Sequence, residues 1–369
     1  MKKVLIISEH LFPKPTPRAN RTTELAKEFS RRGYKVTVYA VLGSYDYTAF
    51  EFKNNITVKE IKLKWQFHSN NSDLIPKRFL IDKILSRLFN KLYEFPNREF
   101  VYRIPPMIKR EEKFDMLISI ANPHAIHWAC AKAKLEFPKK FPKKWIADCG
   151  DPYFNNGNSE LYKHKFKANE KEFCNLANYI TVPNNAAVDC YFPEFKKKIK
   201  VIPQGFNFKI TKEINLKPLN QTPTFLYAGN FFDDYRDPTF FLEHLYQLKM
   251  NFKFIIYSQY TKLVDPFISK LGSKIEIYPM VQRQELLKVA SKVDFLVNLS
   301  NINLPGQIPS KLIDYAIANR PILELNPNNI DKKALIEFLQ GNYNKRYRFK
   351  NISEYHISQV VNKFINLIA

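Results

Sequence analysis

The sequence predicts an α/β protein built from two doubly wound domains, and three observations lead to this prediction. Short apolar segments alternate with segments of helical periodicity along nearly the whole chain. A polar stretch after Pro203-Gln204-Gly205 divides this alternation into two series of similar length. The chain has 369 residues, which is too long for one ordinary domain and suits two.

The first strand–helix–strand unit sets the pattern for the rest. Val4 to Ile7 are all apolar, as expected for a parallel strand that is buried on both faces. After a proline-rich loop, residues 21–32 show helical periodicity and Gly33 marks the end of that helix. Residues 36–39 then form the next predicted strand.

The same alternation continues to the end of the chain. Further strands are predicted at residues 56–61, 116–120, 145–147, 179–182, 200–202, 225–228, 254–257, 275–278, 295–298 and 322–325. In the second half, helices are predicted at residues 238–248, 284–291 and 310–319. We therefore expect domains at residues 1–203 and 204–350, and an amphipathic closing helix within 351–369 that packs back on the first domain.

Composition limits the possible classes of function. The excess of 58 Lys and Arg over 35 Asp and Glu gives a net charge of +23, which favours phosphate-bearing partners such as nucleotides, nucleic acid or an anionic membrane. An AT-rich coding sequence is a second explanation of the lysine surplus. The four cysteines form no Cys-x-x-Cys pair and no histidine cluster has metal-ligand spacing, so no metal is expected. With neither a signal peptide nor an apolar span, we expect a cytoplasmic protein.

The segment at residues 307–323 carries the clearest chemical signal. A helix is predicted to begin at Pro309-Ser310, where its free N–H groups suit a diphosphate. Lys311 and Asp314 are three residues apart and share one helical face. A cation for phosphate beside a carboxylate for ribose hydroxyls would hold a nucleotide. An exposed ion pair on a first helical turn explains the same two residues equally well.

This segment resembles the C-terminal signature of bacterial GT-B glycosyltransferases of family 4 type. Its sequence is Pro-Ser-Lys-Leu-Ile-Asp-Tyr-Ala-Ile-Ala-Asn-Arg-Pro. Three other segments resemble the same family in the same order. They are Glu24-Leu25-Ala26 through Val38, Val201 through Asn207, and Phe225 through Asn230. The resemblance implies a GT-B fold, in which two Rossmann-like domains face a cleft, and a UDP- or GDP-linked sugar as donor, with no cofactor.

The resemblance also implies which residues bind the donor. Asp314 stands where the family has the glutamate that holds the ribose, and Lys311 is expected near the diphosphate. Arg236 is the other candidate phosphate cation, although it could instead pair with Asp233 or Asp237 on the surface. The full expected set is Gly229, Asn230, Arg236, Ser310, Lys311 and Asp314. Gly306 occupies the position of a second family glutamate, which is a departure from the family.

The first domain is expected to bind the acceptor. His124, Asp148 and Asp151 follow predicted strands and are candidates to orient or deprotonate an acceptor hydroxyl, although Asp151 and His124 could equally be turn or capping residues. Arg18 and Arg21 lie where the family has a glycine pair and could supply charge there. Their alternative is a solvated helix start.

Residues 76–93 have the pattern of a basic amphipathic helix, in which Lys83, Arg87 and Lys91 recur every fourth residue beside an apolar stripe. Such a helix suits an anionic membrane surface and a polyprenyl-diphosphate-linked acceptor, or it is an ordinary surface helix. The family resemblance implies a retaining, metal-independent hexosyltransferase of surface polysaccharide synthesis, and the basic helix would place it on the inner face of the membrane. Two alternatives stay open: a non-catalytic GT-B subunit, and a nucleic-acid-binding protein, although no recognisable nucleic-acid module is present.

Overall fold

The structure is a computed structural model, and the part of the chain that it describes consists of residues 1–14, 16–64, 94, 96–150, 152–154, 166–208, 214–233, 236–300, 310–349 and 351–368. The chain divides into two compact units. Unit 1 contains residues Met1–Asn207 and Ile357–Ala369, and unit 2 contains residues Phe208–His356.

Unit 1 is built on a seven-stranded parallel sheet with the strand order β3-β2-β1-β4-β5-β6-β7. Its strands are β1 Lys3–Ser8, β2 Lys35–Ala40, β3 Ile56–Glu60, β4 Met116–Ile120, β5 Lys144–Asp148, β6 Tyr179–Val182 and β7 Ile199–Val201. Val4 of the central strand lies opposite Val36 on one side and Met116 on the other. Helices cover both faces of this sheet, which explains why its central strands are apolar throughout.

The helices of unit 1 that the described ranges contain are α1 Pro17–Arg31, α2 Thr48–Asn54, α3 Phe100–Arg110, α4 Ala125–Glu136, α5 Lys167–Leu176 and α11 Ile357–Asn366. Helix α1 begins at Pro17, four residues earlier than the sequence predicts. The Thr16 side chain accepts a hydrogen bond from the backbone N–H of Ala19 and caps the helix. The helix ends as predicted, with Gly33 at a φ of 80° that favours glycine.

The C-terminal helix α11 belongs to unit 1, as expected. Val360, Val361 and Phe364 are buried in the same core as the central strands and helix α1. The Phe364 ring meets the ring of Phe29 from α1 edge to face at 6.5 Å. The helix is shorter than predicted because a separate 3₁₀ turn at Ile352–Tyr355 precedes it.

Unit 2 is built on a five-stranded parallel sheet with the order β10-β9-β8-β11-β12. Its strands are β8 Thr224–Ala228, β9 Lys253–Tyr257, β10 Ile275–Tyr278, β11 Phe295–Leu299 and β12 Ile322–Leu325. Its described helices are α6 Thr239–Gln247, α7 Asp265–Leu271, α8 Arg283–Ala290, α9 Ser310–Ile317 and α10 Lys332–Leu339. Phe225 of the central strand stacks on Phe254 at 4.7 Å and on Phe295 at 4.8 Å, so three neighbouring strands share one aromatic layer.

Each sheet is doubly wound around its first strand, which confirms the predicted fold class. In such sheets ligands bind beyond the carboxyl ends of the strands, near the central strand where the direction of winding reverses. The loops after β8 and β11 in unit 2, and after β1, β4 and β5 in unit 1, are therefore the places to look for functional side chains.

Candidate functional site

Helix α9 of unit 2 is fixed against the central strand of its sheet. Leu312, Ile313 and Tyr315 are buried, and the Tyr315 hydroxyl accepts a hydrogen bond from the backbone N–H of Ala228 at 2.7 Å. Ala228 is the last residue of β8. This bond holds the first turn of α9 at the carboxyl edge of the sheet, and with it Lys311 and Asp314.

The Lys311 ammonium is the most unusual group at this edge. Its Nζ atom is buried and has no hydrogen-bond partner within the described ranges. It lies 4.1 Å from the centre of the Tyr227 ring, close enough for a cation–π contact. Burial lowers the pKa of Lys311 well below its ordinary value. The charge of Arg236 lowers it further, and Glu324 opposes the shift.

The loop after β8 brings the other predicted donor-binding residues to Lys311. Gly229 has a φ of 139°, a conformation that L side chains rarely adopt, and a Cβ built on it would lie 3.8 Å from Cδ of Lys311. The Asn230 carbonyl accepts hydrogen bonds from the Tyr227 hydroxyl at 3.1 Å and from Nη1 of Arg236 at 3.3 Å. The loop therefore places the guanidinium and the ammonium at the same edge of the sheet.

Asn230 itself serves to join two loops. Its side-chain oxygen accepts hydrogen bonds from the backbone N–H of Gln259 at 3.1 Å and from the Ser258 hydroxyl at 3.4 Å. These residues follow β9, so the amide ties the loops after two neighbouring strands together. The structure thus gives the Asn230 side chain a positioning task within the predicted donor site.

Asp314 does not pair with Lys311. The exposed ion pair that could have explained their spacing is therefore not formed. The Oδ1 atom of Asp314 accepts a hydrogen bond from Nε of Arg283 at 2.6 Å, and both side chains are largely buried. Burial raises the pKa of Asp314, and the Arg283 guanidinium opposes that rise. Arg283 was not predicted from the sequence, although it begins the helix that follows β10 at this same edge.

Two more polar residues near Lys311 were not predicted. Asn298 lies in β11 and is fully buried, and its Nδ2 donates to Oε1 of Glu324 at 3.0 Å. The Asn298 Oδ1 atom is buried without a hydrogen-bond partner in the described part of the chain. An amide inside the otherwise apolar strand Phe295–Leu299 was the signal that could have identified it.

In unit 1, Arg21 and Asp148 form a buried ion pair with each other. Nε and Nη2 of Arg21 donate to the two oxygens of Asp148 at 3.0 and 2.8 Å, and both residues are almost fully buried. Arg21 also donates to the carbonyl of Pro203, and the Thr181 hydroxyl donates to Asp148 at 2.6 Å. The sequence predicts a catalytic role for Asp148 and an acceptor or membrane role for Arg21. The geometry favours a structural ion pair that joins helix α1 to strand β5.

Arg18 and His124 remain close to the carboxyl edge of the unit 1 sheet. Gly150 follows β5, and a Cβ built on it would lie 1.5 Å from Nη2 of Arg18, so a side chain at this position would displace the Arg18 guanidinium. His124 is mostly buried just before helix α4, with its ring 5.6 Å from the rings of His127 and Tyr153. These positions are compatible with the predicted roles.

Buried polar side chains stabilise the carboxyl edge of the unit 1 sheet. The His127 ring lies 2.8 Å from the Ser119 hydroxyl through Nδ1 and 3.3 Å from Sγ of Cys149 through Nε2. Glu170 is buried on helix α5 and accepts hydrogen bonds from the backbone N–H groups of Tyr153 and Phe154 at 2.9 and 3.0 Å. Glu170 thereby fixes the backbone just beyond β5.

Several predicted residues fall outside the described residues. Asp151 and the basic stretch with Lys83, Arg87 and Lys91 belong to this group, as does the side chain of Ser310. Of the helices that the structure describes, none has both the length and the apolar character to cross a bilayer. The same part of the chain has no group of three or more His, Cys, Asp or Glu side chains that could hold a metal ion.

Comparison with known proteins identifies the fold. No family model matches the chain, and no curated protein matches it.

Solved structures do match, and the three described next are similar over nearly the full length of both chains. HepE of Anabaena, solved with UDP and glucose, has a TM-score of 0.59 at 10% identity and covers 99% of each chain. The lipopolysaccharide outer core galactosyltransferase WaaB has a TM-score of 0.59 at 14% identity and covers 99% of each chain. A variant of S. aureus TarM, solved with UDP and alpha-GlcNAc-glycerol, has a TM-score of 0.60 at 12% identity and covers 100% of each chain.

At these identities the similarity shows the fold. The chain has the GT-B fold that the sequence motifs led us to expect, with two Rossmann-like units and a C-terminal helix that belongs to the first. The narrower resemblance to family 4 stays a prediction.

Proposed function

We propose that this protein is a glycosyltransferase that moves a sugar from a nucleotide-diphosphate donor to a glycan or a polyprenyl-diphosphate-linked acceptor. Unit 2 would bind the donor and unit 1 the acceptor. The observation that carries the proposal is the buried Lys311 ammonium, which has no hydrogen-bond partner in the described ranges. Burying such a charge without a partner is costly, and an anionic ligand would offset this cost.

A diphosphate fits the groups around Lys311 better than other anions do. Arg236 adds a second positive charge, the first turn of α9 adds backbone N–H groups that have no acceptor within the helix, and Gly229 leaves room for a close approach. Asp314, held by Arg283, would accept hydrogen bonds from the ribose hydroxyls. A nucleoside diphosphate presents both kinds of group at once.

The same groups would also serve the transfer. In the reaction, the bond from C1 of the sugar to a diphosphate oxygen breaks and a bond from C1 to the acceptor oxygen forms. The nucleoside diphosphate leaves with an additional negative charge, which Lys311 and Arg236 would stabilise without moving. The acceptor hydroxyl loses its proton, and His124 is our candidate to orient that hydroxyl or accept the proton.

Finer features of the proposal rest on resemblance and charge. UDP is the first nucleotide to test, because the HepE and TarM structures contain UDP, and GDP is the second. The family resemblance supports hexosyl transfer with retention and without a metal. The similarity to WaaB supports a role in surface polysaccharide synthesis, and the net charge of +23 supports association with an anionic membrane face.

Calorimetric titration with UDP and GDP tests the donor site. We expect one of them to bind the wild type and Lys311→Met to weaken that binding by at least about tenfold, which corresponds to about 1.4 kcal/mol. Methionine keeps an unbranched side chain, one heavy atom shorter than that of lysine, and removes its charge. Lys288→Met is the matched control, because Lys288 is exposed on α8 of the same unit.

Two results would contradict the proposal: neither nucleotide binds the wild type, or Lys311→Met binds as tightly as Lys288→Met does. Slow release of UDP or GDP from the matching nucleotide sugars would separate an enzyme from a non-catalytic GT-B subunit. A subunit of that kind would bind the nucleotide with no turnover.

A further inference from the structure

A cavity of about 440 Å³ lies in unit 1, and none of the predicted site residues line it. It is formed by the loop that follows β1 and the loop that follows β2, at the carboxyl edge of the sheet. Its lining includes Pro13, Lys14, Ser44, Tyr45, Asp46 and Tyr47. Its volume falls in the range of about 300–1,000 Å³ that is typical of small-molecule sites.

An exposed aromatic ring stands in this cavity and is held firmly. Tyr45 is 41% exposed, yet its ring meets the edge of Tyr47 at 4.9 Å and of Phe12 at 5.4 Å. Phe12 in turn stacks on Phe50 of helix α2 at 5.6 Å with only 12° between the ring planes. Because its neighbours fix its orientation, the ring can receive a ligand at little cost in conformational entropy.

The polar groups of the cavity balance each other in charge. Asp46 accepts hydrogen bonds from the backbone N–H and the hydroxyl of Thr48 at 2.9 and 2.6 Å. These bonds lower the pKa of Asp46, which keeps it ionised at neutral pH. Lys14 donates to the carbonyl of Val41 at 3.5 Å and supplies one positive charge. A carboxylate beside a single ammonium favours a neutral ligand rich in hydroxyls over a phosphate-bearing one.

We propose that this cavity is a binding subsite for a neutral sugar ring of the acceptor, distinct from the ring that receives the transferred sugar. The apolar C–H face of the sugar packs on Tyr45, and its hydroxyls hydrogen-bond to Asp46 and Lys14. This inference rests on the proposed function and narrows its acceptor to an oligosaccharide.

The order of the strands sets the distance between the two sugar positions. The sheet runs β2-β1-β4, and His124 follows β4. Strands are about 4.8 Å apart, so the exits of β2 and β4 are roughly 10 Å from each other. The cavity and His124 therefore contact different rings of one oligosaccharide, and a monosaccharide acceptor would leave the cavity unused.

Saturation-transfer NMR with neutral trisaccharides tests the subsite directly. The probes are maltotriose, cellotriose, mannotriose and triacetylchitotriose at millimolar concentration, with oligothymidylate as the nucleic-acid probe. We expect at least one trisaccharide to bind the wild type and Tyr45→Ala to weaken it by about fivefold or more. Tyr45→Phe keeps the ring and should retain most of the binding. Phe52→Ala is the control, since Phe52 is a 91% exposed aromatic residue on α2 outside the cavity.

The outcomes separate this inference from the donor proposal. Lys311→Met should bind the trisaccharide like the wild type. A failure to bind UDP would therefore not affect the trisaccharide result, and a failure to bind the trisaccharide would not affect the UDP result. The inference is overturned if no trisaccharide binds, if Tyr45→Ala and Phe52→Ala bind equally well, or if only oligothymidylate binds. Circular dichroism confirms that each variant is folded before its binding is compared.

Discussion

The Lys311 side chain occupies an environment that disfavours its own charge. Its ammonium is buried against Tyr227, and the nearby charge of Arg236 repels it. Binding sites commonly keep such groups at a cost in stability, because selection acts on the ligand complex. The free protein should therefore become more stable when this charge is removed.

We expect Lys311→Met to raise the stability of the ligand-free protein by about 1–3 kcal/mol near neutral pH. The pKa of Lys311 is lowered in the folded state, so the unfolded chain binds more protons between that lowered pKa and the ordinary value of about 10.4. Wild-type stability therefore rises with pH across this window. The advantage of the variant is full below the window and disappears above it.

Thermal unfolding from about pH 6 to pH 10.5, with Lys288→Met as the control, measures this difference between the variants. A lower melting temperature for Lys311→Met than for Lys288→Met at neutral pH would mean that the ammonium stabilises the free protein. The description of Lys311 as an uncompensated charge would then be wrong.

Lys311 and Gly229 could be proposed from the sequence because both belong to short motifs whose chemistry depends on local backbone geometry. The sequence did not identify Arg283, which is 31 positions from Asp314 and lies on another helix. Nor could it show that Arg21 pairs with Asp148, since 127 positions separate them. Side chains that meet through the sheet topology leave no periodic signal in the sequence.

Among the elements, strands were predicted more accurately than helices. The strands are apolar on both faces, so each forms a short run that is recognisable by itself. Helix α1 was predicted too short because the prediction followed its apolar face, which begins after the capping residue Thr16 and Pro17. Helix α3 was not predicted, because Pro105 and Pro106 lie inside it and proline removes backbone hydrogen bonds from a helix.

The Arg21–Asp148 pair connects α1 to β5, and its removal should loosen that connection. We expect Arg21→Met and Asp148→Asn each to destabilise unit 1 by about 3–5 kcal/mol, because each leaves a buried charge or polar group without its partner. The double variant should lose much less than the sum of the two. Urea unfolding of the four proteins measures the coupling between the residues.

Arg31→Met is the control on the same helix, because the Arg31 side chain is exposed and Arg32 would still pair with the buried Glu28, so the unfolding midpoint should stay nearly unchanged. The structural role would be refuted by an Asp148→Asn variant that keeps wild-type stability and loses sugar transfer. That result would restore the catalytic role first predicted for Asp148.

For the whole molecule, the sequence predicted two doubly wound units, since the alternation of strands and helices is repeated along the chain. It could not predict where the net charge of +23 acts. The structure separates two contributions: a few buried cations at the edge of the unit 2 sheet, and many lysines at the surface. These differ in their response to salt, because mobile ions screen exposed charges far more than buried ones.

We therefore expect salt to distinguish nucleotide binding from membrane binding. At about 50 mM salt, the surface lysines should attract the protein to phosphatidylglycerol vesicles, and at about 500 mM most of it should be released. The affinity for UDP or GDP, whichever binds, should fall much less over this range, because the Lys311 ammonium is shielded from mobile ions. Cosedimentation measures vesicle binding and calorimetry measures nucleotide affinity, with phosphatidylcholine vesicles as the uncharged control.

Equal binding to both kinds of vesicle at high salt would indicate that apolar insertion, and not charge, holds the protein on the membrane. A nucleotide affinity that falls as steeply as vesicle binding would place the nucleotide on the exposed surface and not at Lys311.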